Sequence, residues 1–269
     1  MLLEIRNDDF IRLTKFILDE YGINLTHKKN LIEGRLGKTI LDMGFANFTE
    51  YVDYLLKSKS PEDLDILINK VTTNHTYFMR ENSHFEFFQN SILPEVEKAC
   101  KNRSPGVWSA ACSSGEEPYT MSIILREYFG GKTPKWDTRM LASDISKKVL
   151  TIAMKGTYSE DSLKEIPAVW KKKYFTLSPE GYTVTKQIKD NVIFREFNLM
   201  DPIRFKMKFD VIFCRNVMIY FDQQTKDALV KRFYDAMNPG GYLLIGHSET
   251  LNKATTPFTY LMPATYRKI

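Results

Sequence analysis

The sequence predicts an α/β protein: an open, mostly parallel sheet, preceded by a small all-helical domain and carrying a small antiparallel β insert. Three observations carry this. Residues 1–73 show apolar spacing of helical period and nothing else. From residue 106, short apolar strands alternate with helices, the pattern of a parallel sheet with helices on both faces. Inside that region, "YFTLSPEGYTVTK" alternates about Ser-Pro-Glu-Gly, as a hairpin does.

The elements follow in order. "NDDFIRLTKFILDEYG" starts on Asn/Asp, spaces Phe10, Leu13, Phe16 and Ile17 helically, and stops at glycine. "THKKNLIEGRLGKTILDMG" repeats the plan over 27–43, with Thr26 as a cap and Gly44 as its end. "NFTEYVDYLLKS" follows, and "SPEDLDILINKVTTN" has a Ser60 cap with Pro61 at the first helical position. A longer helix, about 82–101, leads into "GVWSAAC", helix 117–129, "RMLASDI" and helix 146–155. After an irregular stretch of about 157–190 that contains the hairpin come "NVIFREFN", "KFDVIFCRN", helix 223–236 and "GGYLLIGHSE", then a final strand pair in "FTYLMPATYRKI". The domains read as 1–73 (helical), 74–101 (linker and helix) and 102–269 (the sheet domain), with the β insert at about 174–193.

Composition narrows the partners. The 269 residues, 43% hydrophobic, bury a real core in one large domain or two smaller ones. A net charge of +5 is mild and does not indicate nucleic acid. No apolar run reaches the roughly 18 residues that span a membrane. "MLLEIRNDDF" turns acidic too early for a secretory signal, so the sequons at Asn24, Asn47, Asn74 and Asn102 are read as chance. Cys100, Cys112 and Cys214 lack metal spacing and suit a reducing cytoplasm. His27, His75, His84 and His247 show no ligand pairing, so no metal site is expected.

The candidate site lies where the strands end. Ligands of an open α/β sheet bind beyond the strands' carboxyl ends, where strand order reverses. "VWSAACSSGEEPYTMSIIL" is a strand, a turn and a helix of that kind. A pyrophosphate needs a glycine-rich turn, yet here only Gly115 fits, and Glu116 and Glu117 would repel phosphate. Carboxylates at a helix start suit the helix dipole, and they accept from a cationic group. A nucleoside bearing positive charge fits, and S-adenosylmethionine has an ammonium, a sulfonium and an adenosine. The alternative is a helix start that merely satisfies its dipole. Asp144 ends the second strand, placed either for ribose hydroxyls or to cap the next helix. Asn198 and Leu199 sit where an adenine rests, and Arg215 and Asn216 leave the most apolar strand abruptly. Asn74, Thr76 and Arg80 crowd the joint between the domains, either for chemistry or as caps and a solvated charge. Cys112 is read as a small buried residue: no histidine lies near it in sequence, and the adjacent glutamates disfavour a thiolate.

Taken together, "NHTYFMR", "VWSAACSSGEEPYT", "ASDI", "FNL", "FCRNVMIYFD" and "GHSE" stand in the order and spacing of one family. The chain resembles the CheR chemotaxis receptor methyltransferases over nearly its whole length. The resemblance implies a Rossmann-like class I methyltransferase sheet with helical N-terminal domain and β insert. It implies S-adenosylmethionine as cofactor, S-adenosylhomocysteine as product, and glutamate side chains of chemotaxis receptors as acceptors. By motif position it places Asn74, Thr76 and Arg80 near the cofactor and reacting centre, Glu117 on the methionine amino group and Asp144 on the ribose. Asn198, Leu199, Arg215 and Asn216 match adenine and cofactor-wall positions, and Tyr220 matches a tyrosine near the transferred methyl. Phe78-Met79-Arg80 departs from the family's usual Phe-Phe-Arg, a change that conserves volume.

The expected partner is the helical cytoplasmic region of a receptor, met by a cytoplasmic enzyme recruited to membrane arrays. Lys28, Lys29 and Arg35 form a basic face suited to a Glu-rich helix, although such runs are usually solvated surface. The receptor's C-terminal tail is a further candidate partner, for the insert, and a regulatory ligand is another candidate for the protein. Two other readings stay open: a non-catalytic cofactor sensor on the same fold, and an RNA or small-molecule methyltransferase. The intact Asn74/Thr76/Arg80 set and Tyr220 argue against the first, and the mild net charge and the lack of a basic stripe interleaved with aromatics against the second.

Overall fold

The computed structural model describes residues 3–72 and 74–269, which fall into two units. The first takes the N-terminal residues together with Tyr220–Thr225. Its helices are α1 (Asn7–Tyr21), α2 (Lys29–Asp42), α3 (Phe48–Ser58) and α4 (Pro61–Val71). They pack in pairs, α1 on α3 and α2 on α4, around Leu13, Ile17, Ile32, Leu36, Ile40, Val52, Leu55 and Leu67, all fully buried.

The caps explain most of these boundaries. Gly22 ends α1 in the left-handed region and returns its N–H to the Leu18 carbonyl. Asn47 accepts from the Glu50 N–H while the Glu50 carboxylate accepts from the Ala46 N–H, a reciprocal lock on the start of α3. Ser60 accepts from the Asp63 N–H, with Pro61 opening α4, as the sequence suggests. The start of α2 differs from expectation. Thr26 does not cap it: its N–H and hydroxyl both donate to the Asn24 side chain, closing a local turn, and the helix begins only at Lys29. Arg35 is half-buried and donates to the carbonyls of Lys70, Val71 and Thr72, the open end of α4. That side chain is therefore committed to the fold, whatever else it meets.

The second unit opens with α5 (Asn82–Phe87), a five-residue π turn (Phe88–Ile92) and α6 (Leu93–Ala99). The single helix expected over 82–101 is thus interrupted. Pro94 supplies no N–H for the ordinary helical bond, and the wider turn before it absorbs the missing contact. There follow β1 (Val107–Ala110), α7 (Glu116–Phe129), β2 (Met140–Asp144), α8 (Lys147–Lys155), β3 (Thr157–Tyr158), α9 (Ala168–Tyr174), β4 (Phe175–Ser178), β5 (Gly181–Val184), α10 (Lys186–Lys189), β6 (Val192–Glu196), β7 (Phe209–Cys214), α11 (Gln223–Ala236), β8 (Met237–Ile245), β9 (Thr259–Met262) and β10 (Thr265–Arg267).

The large sheet runs β6-β2-β1-β7-β8-β10-β9. Its first five strands are parallel, and β10 and β9 add antiparallel. From β1 the chain steps to β2 on one side and later returns to β7 on the other, so strand order reverses at β1. β1 is buried along its whole length. Trp108 anchors it, fully buried against Phe197, Phe205, Phe209 and Phe233, with its indole N–H on the Ser143 hydroxyl at 2.9 Å.

The hairpin pairs β4 with β5 about Pro179-Glu180, and β3 joins it to make a three-stranded sheet, β3-β5-β4. The third strand escapes a sequence reading because two residues show no alternation. The insert is tied to the main body by aromatic packing. Phe78, fully buried, meets Tyr158 and Phe175 edge-to-face at 4.9 and 5.5 Å between ring centroids.

Candidate active site

The turn after β1 is bent by three residues in the left-handed region, Ala111, Ser113 and Gly115. At Gly115 the reason is steric as well: a Cβ would lie 2.9 Å from both the Ala153 Cβ and the Tyr158 hydroxyl oxygen. Tyr158 holds the turn from the other side, donating to the Ser114 carbonyl at 2.7 Å. Gly115→Ala combines left-handed backbone with that clash. It is expected to cost about 1–3 kcal/mol and to weaken cofactor binding several-fold, read by thermal unfolding and cofactor titration. Unchanged values in both would show that the turn is not held this way.

Asp144, buried at the end of β2, accepts from the Ser113 N–H at 2.8 Å and the Ser146 N–H at 3.0 Å. It therefore joins the ends of β1 and β2. It does not cap α8, as one expectation had it: Ser146 does, accepting from the Val149 N–H. Burial pushes the Asp144 carboxyl above its usual range, and the backbone donors at Ser146, Ser113 and Ile145 oppose the shift. An ionised carboxylate has about four acceptor sites, so further donors can still reach it.

α7 begins at Glu116, one residue earlier than expected. Burial raises the Glu116 carboxyl pKa, and the Ser114 hydroxyl donates to it at 2.7 Å. Glu117 is differently placed. It accepts from the Ser109 hydroxyl at 2.7 Å and from an Arg215 Nη at 2.9 Å. Arg215, its side chain 2% exposed, also donates to Glu81 at 3.0 Å and to the Arg80 carbonyl. The guanidinium stands over the Phe85 ring, 5.2 Å from its centroid. Arg215 is thus no open wall of a pocket. It is a buried cation held by two carboxylates.

Glu81 gathers the remaining strand ends. Its carboxylate accepts from the Asn216 side chain at 3.1 Å and from the His247 N–H at 3.2 Å, beside the Arg215 contact. Burial pushes this carboxyl upward, but Arg215 and Asn216 outweigh that and hold it below the usual carboxylate range. Glu81 itself adopts left-handed backbone, as do Met79 and Asn216. Glu249 does for the β7 and β8 ends what Asp144 does for β1 and β2: it accepts from the Gly246, Asn216 and Ile219 N–H groups. Gly246 is required there, since a Cβ would fall 2.5 Å from the Asn216 amide nitrogen. Neither Glu81 nor Glu249 stands out in the sequence as a site residue. The signal was present only as adjacency, Glu81 following Arg80 and Glu249 ending "GHSE".

The other candidates take the following places. The Asn74 carbonyl accepts from the Ser113 hydroxyl at 3.0 Å, which ties the 74–80 segment to the β1 turn. Asn74 and Thr76 cap no helix: Glu81 precedes α5, with no side-chain cap. Arg80 turns back on its own loop, donating to the His75 carbonyl at 2.8 Å. The Asn198 side-chain oxygen accepts from the Met200 N–H, and Leu199 is buried with its carbonyl on Arg232. At the carboxyl ends of the parallel strands these residues thus fall into two hydrogen-bonded sets: Asn74 and Asp144 meet through Ser113, while Arg80, Glu117 and Asn216 are gathered around Arg215 and Glu81. Tyr220 falls in the first unit, its carbonyl accepting from the Asn24 N–H. Cys112 and Cys214 are buried, and desolvation pushes both thiols well up, first among causes. Neither is a ready nucleophile.

A parallel sheet with this switch point, a carboxylate-bearing turn in place of a phosphate loop, and an acid at the end of β2 is that of a class I methyltransferase. Two family models cover nearly all of the chain: "CheR methyltransferase, all-alpha domain" over residues 8–72 and "CheR methyltransferase, SAM binding domain" over residues 74–267. A chemotaxis protein methyltransferase of Borreliella burgdorferi is 44% identical over 272 residues, covering 99% of this chain and 96% of the relative. A probable chemotaxis protein methyltransferase of Rhizobium etli is 36% identical, covering 93% and 96%. The chemotaxis protein methyltransferase of Escherichia coli is 34% identical, covering 96% and 89%. The chain belongs to the CheR family of chemotaxis methyltransferases and uses S-adenosylmethionine as methyl donor. Among the described residues, no helix is long and apolar enough to cross a membrane.

Proposed function

We propose that the chain transfers the methyl group of S-adenosylmethionine to glutamate side chains in the helical cytoplasmic region of chemotaxis receptors. The observation that carries this is the buried series Glu117–Arg215–Glu81. Two carboxylates face one guanidinium, which leaves one negative charge to be matched. The ammonium of the methionine end is that match, and Glu117 its contact. Asp144 takes the ribose hydroxyls. Asn198 takes the exocyclic amine of adenine, with Leu199 against the ring. Asn74, Thr76 and Asn216 border the cofactor, and Arg215 holds Glu117 in place for it.

The reaction needs no general base. A glutamate side chain, with a reference pKa of about 4.3, is ionised at neutral pH. One carboxylate oxygen attacks the sulfonium methyl in line. The carbon–sulfur bond breaks, its electron pair stays on sulfur, and the products are a methyl ester and S-adenosylhomocysteine. Opposite charges disappear in the transition state, so excluding water and fixing the alignment are the enzyme's contribution. Alignment of this kind contributes as much as ~7–11 kcal/mol in favourable cases. Arg80 leaves its carbonyl contact to orient the acceptor carboxylate, and Tyr220 is assigned a role in methyl transfer by its motif position alone. An arginine also stabilises the ground-state carboxylate, so Arg80 helps only insofar as it fixes geometry. Arg80→Ala is therefore expected to lower kcat at saturating cofactor, measured with a receptor fragment. A kcat near wild type removes Arg80 from this role.

Recognition of the receptor falls to the helical unit and to the insert. Lys28 and Lys29 present charge to a Glu-rich helix, while Arg35 contributes mainly through its hold on α4. Reversing Lys28 and Lys29 to Glu is expected to raise KM for receptor severalfold and to leave cofactor affinity alone. Equal loss of both would point to misfolding. The edge strand β4 of the insert is the place for a receptor tail, which would add as a strand. The enzyme then works in the cytoplasm, at receptor arrays.

A further inference from the structure

We propose that Glu81, His84 and His247 form a binding site for a single divalent transition-metal ion of the zinc class. Their ligand atoms lie within 4.8 Å of one another. No spacing in the sequence points to this cluster, because His247 follows β8 while Glu81 and His84 flank the start of α5. The second observation is His84 itself. Its side chain is 1% exposed, yet neither ring nitrogen has a hydrogen-bond partner among the described residues. Its Nδ1 stands 3.6 Å from the Glu81 Oε2, beyond hydrogen-bond reach. Its ring meets that of His247 edge-to-face, 4.5 Å between centroids. Buried polar atoms are almost always satisfied, so an unpartnered buried imidazole facing a second imidazole and a carboxylate calls for a ligand.

The donor set selects the ion. Two imidazoles and one carboxylate suit Zn²⁺, Ni²⁺ or Cu²⁺, whereas Mg²⁺ and Ca²⁺ require an all-oxygen shell. Zinc–nitrogen bonds are about 2.0–2.1 Å, so the ligands must draw inward. His247 permits this: it is exposed, and among the described residues its Nε2 has only the Ser83 hydroxyl at 3.3 Å to leave. Three protein ligands leave a coordination position for water. Arg215 opposes the ion, since it shares the Glu81 oxygen. Occupancy therefore draws on the carboxylate that also holds Arg215, and affinity should be moderate rather than that of a structural zinc site.

The test is calorimetric titration of the full chain with ZnCl₂, without cofactor or acceptor, alongside MgCl₂ and the His247→Ala variant. One Zn²⁺ per chain at micromolar affinity, no heat with Mg²⁺, and at least tenfold weaker Zn²⁺ binding in His247→Ala is the expected result. Absence of Zn²⁺ binding to the wild-type chain, or equal binding in His247→Ala, overturns the proposal. Since neither methyl donor nor receptor is present, the outcome is independent of the reading of the active site.

Discussion

Arg215→Ala should lower the stability of the catalytic unit by about 3–5 kcal/mol, because it strips the shared cation from two largely buried carboxylates. The side chains of Glu81 and Glu117 are 15% and 13% exposed, so neither is readily hydrated when left alone. For a unit of this size, each kcal/mol is worth roughly 2–4 °C in unfolding temperature, so a fall of roughly 6–20 °C is expected. A control separates charge from packing. Arg215→Met combined with Glu81→Gln and Glu117→Gln removes every charge of the set together. It should be much less destabilised than Arg215→Ala, since a buried ionic group can be replaced by neutral groups at little cost when no partner is left behind. A fall of less than a degree for Arg215→Ala would mean that the buried contacts do not hold the strand ends together.

The second large effect is on the cofactor. Glu117→Gln keeps the shape and the acceptor for Ser109 but removes the negative charge. A hydrogen bond to a charged group contributes about 1.5–3 kcal/mol, so affinity for S-adenosylmethionine should fall roughly 10- to 150-fold. The same substitution at Glu116 should matter far less. That carboxylate is turned to the Ser114 hydroxyl, and burial already favours its neutral form. If the two variants bind the cofactor equally, the ammonium contact has been misplaced. Titration of the cofactor by calorimetry decides between them.

These two experiments also mark the limit of sequence reading. Local signals were legible. Strand, turn and helix followed one another in "VWSAACSSGEEPYT", and the carboxylates in place of a glycine-rich loop pointed to a cationic nucleoside. The caps at Asn47, Ser60 and Gly22 lie within a few residues of what they satisfy, and Ser60 and the glycine stop could be read from spacing. What could not be read was non-local. Arg215 meets Glu117 across 98 residues and Glu81 across 134, and nothing in periodicity encodes such a pairing. The same holds for Glu249, which closes its loop from inside a motif known only as a string. It holds too for His84 and His247, far apart in sequence, whose rings meet edge-to-face. The π turn before Pro94 was hidden for a different reason: proline near a helix start is ordinary, and only the helix upstream makes its missing donor a problem. Asp144 shows the two kinds of information in conflict. Its place before a helix suggested a cap, but the fold gives that task to Ser146 and turns Asp144 toward the β1 loop.

The most direct test of the whole account is methyl transfer itself. The purified chain is incubated with S-adenosylmethionine labelled in the methyl group and with receptor-containing membranes, and the label on receptor is treated with mild alkali. A glutamyl methyl ester releases its label as volatile methanol under those conditions, and that release is the expected result. Label that resists alkali, or cofactor bound with no label transferred to receptor, would contradict the assignment of a carboxylate acceptor.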